Sequence, residues 1–478
     1  MNHFLEFSNW TLFYYYVASN IAYFVMLLIA ISTSRAHQNR LKSVPLTWVK
    51  GSPLAPPITI LMPAHDEELC ISTAVRNVLD LDYPELEVIV INDGSVDRTL
   101  ALLQERFRLR PVRMVYVPHA KSAVVRALYR SDLDARLVVV DKEAGGSKAD
   151  ALNAGLNAAT SPYVCVVDAD SVLERDALLR IMVPVLADPQ RVVGAGGIVR
   201  VLNGSEVEAG CIRRVRLPKR SIEVIQVVEY LRAFLIGREA WARGNMLMII
   251  SGAFGIFRTD LIRAVGGYRS DAIGEDIDLV ARLHRHLRER DADYFLEFVP
   301  DPVCWTEVPS DLQSLGRQRA RWQKGLIDVL WPNRDLLFVR RYGRIGFVAL
   351  PYLWLFEFLA PVFEIGGLLT IALAAGLGSL NKEFFVQFLL FGYAFATVIS
   401  IGSVLLEELT YKRYNDWQDV VRLVSYCFLE HFPYRQLHMM WRLQGLWQYM
   451  RGDTVWRPLN RQGNEGRSQI EKAWSEER

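Results

Sequence analysis

Tyr163-Val-Cys-Val-Val-Asp-Ala-Asp170 is a run of mostly β-prone residues that ends in two carboxylates one residue apart. A buried strand followed by Asp-x-Asp on a turn sets Asp168 and Asp170 at the carboxyl edge of a sheet. Open α/β sheets bind their ligands at that edge. Two hard oxygen donors there suit Mg²⁺ or Mn²⁺ carrying a diphosphate, because such cations keep positions open for phosphate oxygens. The competing reading makes Asp170 a simple cap for a helix starting near Val172.

Working outward, short β-branched runs recur at 58–62, 87–91, 113–117 and 137–140, with helical stretches at 67–79, 96–107 and 147–159. Continuous apolar strands alternating with helices imply a doubly wound, mostly parallel α/β sheet covered on both faces. Further out the chain turns apolar. Thr11–Ser32 carries no charge and is long enough to cross a bilayer. Arg35, Arg40, Lys42 and Lys50 follow it, so it reads as an uncleaved membrane helix with its N-terminus outside. Residues 345–377 are too long for one straight span, and Pro351 and Pro361 are positioned to kink them. Phe384–Leu406 is a third span, closed by Lys412 and Arg413.

The expected organisation is therefore a membrane helix in 1–34, a cytosolic catalytic domain in 55–335, membrane helices in 344–408, interfacial helices in 415–456 and a polar tail in 457–478. Between Arg213 and Arg243 a basic cluster precedes an amphipathic helix, which suits either an anionic membrane surface or packing on the sheet. Glu357 and Glu364 lie two helical turns apart in the second span, and ionisable residues there are usually functional. They are expected to help form a polymer path, the competing reading being a pair that faces polar groups of neighbouring helices.

A net charge of +2 in 478 residues gives no reason to expect a nucleic-acid partner. Five scattered cysteines without metal spacing read as reduced thiols.

Several further motifs fall at the same sheet edge. Asp93 ends the second strand in Ile91-Asn-Asp-Gly-Ser95, where a nucleotide's base or ribose can be bound, and His65-Asp-Glu67 follows the first. Gly145-Gly-Ser-Lys148 precedes a helix, so backbone amides and a lysine can approach phosphates. It lacks the spacing of an ATPase phosphate loop. Ile250-Ser-Gly-Ala-Phe254, Gly266-Gly-Tyr268 and Gly274-Glu-Asp-Ile-Asp278 come next, the last with acids that open a helix. One of these acids can serve as a base, or all can merely offset the helix dipole. In Gln318-Arg-Ala-Arg-Trp322, Arg321 suits a diphosphate and Trp322 a sugar face, unless both belong to an interfacial belt.

This order of motifs, closed by membrane spans, resembles the membrane-embedded family-2 glycosyltransferases, among them cellulose, chitin, hyaluronan and bacterial poly-N-acetylglucosamine synthases. The resemblance covers roughly residues 55–330 and the flanking spans, and the 250–278 segments look most like the poly-N-acetylglucosamine type. It implies a GT-A fold at the cytosolic face of the plasma (inner) membrane. It also implies a UDP-sugar donor, a growing β-linked polysaccharide as acceptor, and a Mg²⁺ or Mn²⁺ cofactor held by Asp168 and Asp170.

By the same resemblance Asp276 is the general base and Asp93 contacts the uridine. Lys148, Gln318 and Arg321 surround the diphosphate, while Ser251, Gly252, Glu275 and Trp322 line the acceptor site. Accessory export proteins are expected partners. The rivals are a transferase adding a single sugar to a lipid or short acceptor, and a catalytically silent receptor or export scaffold. Two departures stand out: Asp66-Glu67 where the family commonly has Asn-Glu, and about twenty extra residues, His119–Leu137, before the glycine motif.

Overall fold

The computed structural model describes residues 2–43, 46–52, 55–113, 116–208, 210–414 and 416–453. The expected polar tail 457–478 lies outside the described residues, as do positions 114–115 of the expected strand 113–117. The chain divides into two compact units. Residues 38–217 and 245–308 form the sheet unit; 2–37, 218–244 and 309–453 form the helical unit.

The sheet unit is built on β1 (Ile58–Ala64), β2 (Leu86–Asp93), β3 (Leu109–Pro111), β4 (Val125–Ser131), β5 (Leu137–Lys142) and β6 (Tyr163–Val167). It continues through β7 (Val172–Leu173), β8 (Val192–Val201), β9 (Glu206–Glu208), β10 (Cys211–Arg214), β11 (Phe254–Arg258) and β12 (Phe295–Thr306). Ten strands make one sheet in the order β3-β4-β5-β2-β1-β6-β11-β8-β12-β7.

Its centre, β5-β2-β1-β6, is parallel throughout. All five residues of β6 are buried, as are all six of β5, as strands covered on both faces require. Antiparallel strands flank that centre, β4 beside β5 and β11 between β6 and β8. Neither was expected. β4 comes from the extra segment, and its Val-Arg-Ala-Leu-Tyr-Arg-Ser sequence carries little apolar signal of its own. The expected strand at 113–117 is not formed by its described residues.

Part of the basic cluster near 213 lies in a small hairpin and its exposed ion pairs. Cys211–Arg214 pairs with Glu206–Glu208 as a small hairpin, in which Arg213 meets Glu208 at 2.5 Å and Arg216 meets Glu206 at 2.7 Å.

In the helical unit, Asn2–Ser43 is one helix, of which Phe7–Gln38 is apolar enough to cross a membrane. Phe385–Thr410 is a second such stretch, and Ile345–Phe358 with Ala360–Gly376 forms a pair bent by 42°. The bend falls at Leu359, just before Pro361, as the missing proline amide dictates. The amphipathic helix Ser221–Tyr230 belongs to the helical unit. From Glu223 to Tyr230 every residue is buried, and Ile225 packs with Leu315 and Tyr434.

Glu357 and Glu364 do not share a straight helical face, because the bend separates them. Each meets an arginine of the helix Arg435–Met450: Glu364 accepts from Arg435 at 2.7 Å, and Glu357 lies 3.7 Å from Arg442.

Candidate active site

Strand order reverses beside β1, since β2 and β5 lie on one side of it and β6 on the other. Doubly wound sheets hold ligands at such a reversal. Asp168 and Asp170 stand there, directly after β6. No helix starts at Val172, so Asp170 is not its cap. Val172 and Leu173 instead pair with Trp305 and Cys304 as β7, and the next helix begins at Ala177 after Asp176.

Lys148 opens the helix Lys148–Ala158, whose cap Ser147 accepts from the Asp150 amide at 3.3 Å. The ammonium forms an ion pair with Asp168, donates to the Gly252 carbonyl at 3.1 Å, and lies 3.8 Å from Glu275 Oε1. Burial alone would push its pKa down, but Asp168 and Glu275 outweigh that and hold it above the ordinary lysine value. Gly252 leaves room for this approach: a Cβ there would sit 2.8 Å from Lys148 Nζ and make the lysine tip shift. Ser251 precedes it, half-buried, with its hydroxyl accepting from the Ala253 amide at 3.3 Å. The fold thus brings Lys148, Asp168, Gly252 and Glu275 together.

Three acids open the helix Glu275–Arg288. Asp278 is buried and committed to Arg282 at 2.7 Å and Arg269 at 3.6 Å. Asp276 is half-buried and accepts from the Ile277 amide at 2.8 Å, with no ion pair among the described residues.

Asp93 faces another set of partners. Its Oδ1 accepts from Lys142 and, at 3.0 Å, from the Gly145 amide. Lys142 is fully buried and also meets Asp150 at 2.7 Å. Asp93 therefore sits at the root of the glycine loop.

A profile described as "glycosyltransferase like family 2" matches residues 56–325, more than half of the chain. The chain belongs to glycosyltransferase family 2. A poly-β-1,6-N-acetyl-D-glucosamine synthase of Staphylococcus epidermidis (strain ATCC 35984) is 29% identical over 283 residues, 58% of this chain and 57% of that protein. The synthase of Staphylococcus aureus (strain COL) is 28% identical over 335 residues, 68% of this chain and 67% of that one. Against the first of these relatives the chain thus spans little more than half the length. Among solved structures, the mannosyltransferase PcManGT from Pyrobaculum calidifontis, in complex with GDP-Man and Mn²⁺, superposes with a TM-score of 0.51 at 21% identity. The match covers 88% of this chain and 99% of that one. The two share the GT-A fold, as the motif order implies.

Both segments singled out in the sequence, Asp66-Glu67 and His119–Leu137, are held by local hydrogen bonds. Asp66 adopts a left-handed φ of 54°, and its carboxylate accepts from the Val96 amide at 2.8 Å. Its own amide donates to Ser95 at 3.1 Å, so the carboxylate stitches two loops together.

The extra segment is tied down by the helix after the glycine loop. Asn157 exchanges hydrogen bonds with the Ala120 amide and carbonyl at 2.9 and 2.8 Å. Asn153 donates to Lys121 and Tyr268 carbonyls at 2.9 and 2.8 Å and accepts from the Tyr268 amide at 2.7 Å. Gly267, at φ 79°, permits that approach, since a Cβ would strike Ala120 and Asn153.

Lys142, Asp150, Asn153 and Asn157 were not foreseen. The lone signal was the Asp141-Lys142 pair closing a strand whose first four residues are apolar.

Gln318, Arg321 and Trp322 belong to the helical unit, on the helix Leu312–Leu330. Gln318 and Arg321 are half-buried, and Arg321 makes no ion pair among the described residues. Trp322 is 44% exposed.

Proposed function

We propose that this enzyme is an inverting, divalent-metal-dependent transferase that extends a β-linked polysaccharide from a UDP-sugar, with UDP-GlcNAc the first donor to test. The observation that carries this reading is the convergence of Lys148, Asp168, Gly252 and Glu275 at the strand-order reversal of a family-2 domain. The names of the relatives support N-acetylglucosamine as the sugar.

Asp276 is the general base. It is the opening acid of its helix that makes no ion pair among the described residues, so its carboxylate is available to take the acceptor hydroxyl proton, a step worth roughly 10²–10⁴-fold. Lys148 presents a charged ammonium beside the diphosphate position, and Arg321 presents a planar fork of donors to the same group. Gln318 sits one turn before Arg321 and serves the same face, while Ser251 and Trp322 meet the acceptor. Asp93 contacts the nucleoside and, through Gly145, sets the glycine loop.

Among the described residues no group of three or more His, Cys, Asp or Glu could hold a metal ion. Two carboxylates, Asp168 and Asp170, nevertheless fit Mg²⁺ or Mn²⁺, which bind through one or two carboxylates and complete their shell with phosphate oxygens and water. When bound, such a cation neutralises charge on the leaving diphosphate.

We further propose that Phe7–Gln38, the bent pair and Phe385–Thr410 are three spans, with residues 55–335 cytosolic and 415–456 interfacial. The lysines and arginines at 35–50 and 412–413 support that orientation. Export of the polymer past Glu357 and Glu364, with accessory proteins, belongs to the same proposal.

Radiolabel transfer from a panel of UDP-sugars into purified membranes, with and without chelator, tests the reading. Long polymer from UDP-GlcNAc, lost with chelator, supports it. Single-sugar products favour the non-processive rival, and no transfer from any UDP-sugar overturns both.

A further inference from the structure

Arg319 lies between Gln318 and Arg321 and is the most deeply buried cation of the helix Leu312–Leu330. It is fully buried, and its Nη2 donates to Glu229 Oε2 at 2.7 Å. The same oxygen accepts from the Tyr434 hydroxyl at 3.0 Å. Among the described residues Nε and Nη1 of the guanidinium find no hydrogen-bond partner. A buried cation with unmet donors is costly unless another favourable field faces it. That field comes from the indole of Trp322, one turn along the helix. The guanidinium carbon lies 4.1 Å from the ring centroid.

The seat beneath this pair is buried and closely packed. Glu229 comes from Ser221–Tyr230, and Tyr434 directly precedes Arg435–Met450. Leu315, Ile225 and Tyr434 share one apolar cluster. The helices Leu312–Leu330 and Arg435–Met450 approach through glycines: a Cβ on Gly316 would lie 2.8 Å from Trp441 Nε1, and one on Gly445 would strike Ala320. Three segments therefore fix Arg319, and Arg319 fixes one face of an indole that is otherwise 44% exposed.

We infer that Arg319, braced by Glu229 and Tyr434, is the positioning residue that sets the plane of Trp322 and hence the pose of the acceptor sugar stacked on it. This rests on the reading that Trp322 meets the acceptor. Arg319 touches no substrate; it acts through the ring. An indole free to rotate about its side-chain bonds presents many planes, so the acceptor hydroxyl reaches attack geometry less often. The loss must then appear in acceptor use and leave donor binding alone.

The test uses the full chain in detergent or nanodiscs, UDP-GlcNAc as donor and a β-1,6-linked GlcNAc oligosaccharide as acceptor. Arg319→Met is expected to raise acceptor KM about tenfold, with UDP affinity and donor KM unchanged, and to shorten the polymer. Arg319→Lys retains the charge and should recover part of that loss. Since Arg319→Met strands the Glu229 carboxylate, two further variants guard against misfolding. Arg319→Met/Glu229→Gln removes both charges, and Tyr434→Phe removes only the brace; each should show the same acceptor-selective loss with a near-native melting temperature. Trp322→Ala alone must also raise acceptor KM, and adding Arg319→Met to it should cost nothing more.

Additive losses, or a folded Arg319→Met/Glu229→Gln variant with ordinary acceptor KM, overturn the positioning role while leaving Trp322 in place. An unchanged acceptor KM in Trp322→Ala overturns the acceptor reading itself, and the positioning role with it.

Discussion

In the sheet unit Lys148, Asp168 and Glu275 lie at a rim, whereas in the helical unit Glu364 and Glu430 are paired inside. At the rim, the side chains of Lys148, Asp168 and Glu275 keep 26%, 30% and 20% of their surface in contact with solvent. In the helical unit, Glu430 meets Arg232 at 2.7 Å with the Ser400 hydroxyl at 2.6 Å, and Glu364 meets Arg435 at 2.7 Å. Those carboxylates are all but closed to solvent. Rim charges can exchange partners for a substrate at modest cost. Interior charges cannot, because losing one partner strands the other in a low-dielectric surrounding. The first arrangement suits chemistry, the second fixes helices against each other.

The largest expected effect lies at the rim. Asp276→Asn preserves shape and hydrogen bonding but cannot take a proton, so transfer should fall by roughly 10²–10⁴-fold while metal-dependent UDP binding, followed by calorimetry, stays as it was. Near-normal polymer from this variant would move the base to Glu275, because Asp278 is tied to two arginines.

Next comes the interior. Glu364→Leu should cost about 3–5 kcal/mol by leaving Arg435 uncompensated, whereas Glu364→Leu/Arg435→Leu should regain most of that loss. Thermal unfolding in detergent reads the difference. Equal losses in the single and double variants would mean that the two residues act apart, and the contrast between rim and interior would lose its physical basis.

The contrast also explains what could be read from the chain. Rim residues announce themselves because a strand end fixes where the next side chain goes. Asp93 closes β2, Asp168 and Asp170 follow β6, and Lys148 opens a helix, each legible from local pattern. The interior pairs are not local. Glu229 and Arg319 stand 90 positions apart, Glu364 and Arg435 71 apart, and nothing in either neighbourhood names its partner. The same limit hid Lys142, whose two carboxylates come from β2 and from the helix after the glycine loop. Strand β4 was missed for a different reason: it is held by β3 and β5 on its two sides more than by its own apolar content.

A smaller effect is one of pH. His284, in the sheet unit, is buried with Nδ1 facing the Tyr294 hydroxyl at 2.7 Å and Nε2 facing the Leu247 carbonyl at 2.9 Å. A neutral imidazole satisfies both, with Nε2 donating and Nδ1 accepting. Burial pushes its pKa down from 6.5 to about 4. Between those values the unfolded chain binds a proton that the folded chain refuses, so stability is intact above pH 6.5 and declines as pH falls toward 4. The loss amounts to at most about 3 kcal/mol. His284→Gln should flatten that slope in melts of the full chain between pH 7 and 4. An unchanged slope would assign the acid sensitivity to other groups.

The smallest effect, and the sharpest on the interior, concerns the bend at Leu359. Pro361 has no amide hydrogen, so the Glu357 carbonyl loses its usual helical partner. The Val362 amide turns to Leu359 at 3.0 Å, and the Phe358 carbonyl is left over as well. Side chains from elsewhere fill both gaps. Arg442 donates to the Glu357 carbonyl, and Gln323 donates to the Phe358 carbonyl at 3.1 Å. Arg442 Nε then closes the circuit on Gln323 Oε1 at 2.8 Å. Gln323 directly follows Trp322, so the helix bearing the proposed acceptor platform is fastened to the break in an apolar helix pair. Gln323→Leu keeps the volume and removes both bonds, leaving a carbonyl and a guanidinium nitrogen unmet. The expected cost is about 1–3 kcal/mol in thermal unfolding. Pro361→Ala in the same background restores an amide for the Glu357 carbonyl and should recover part of that loss by straightening the pair. If Pro361→Ala instead destabilises the Gln323→Leu chain further, the bend is held by packing along the helices and not by these two carbonyls.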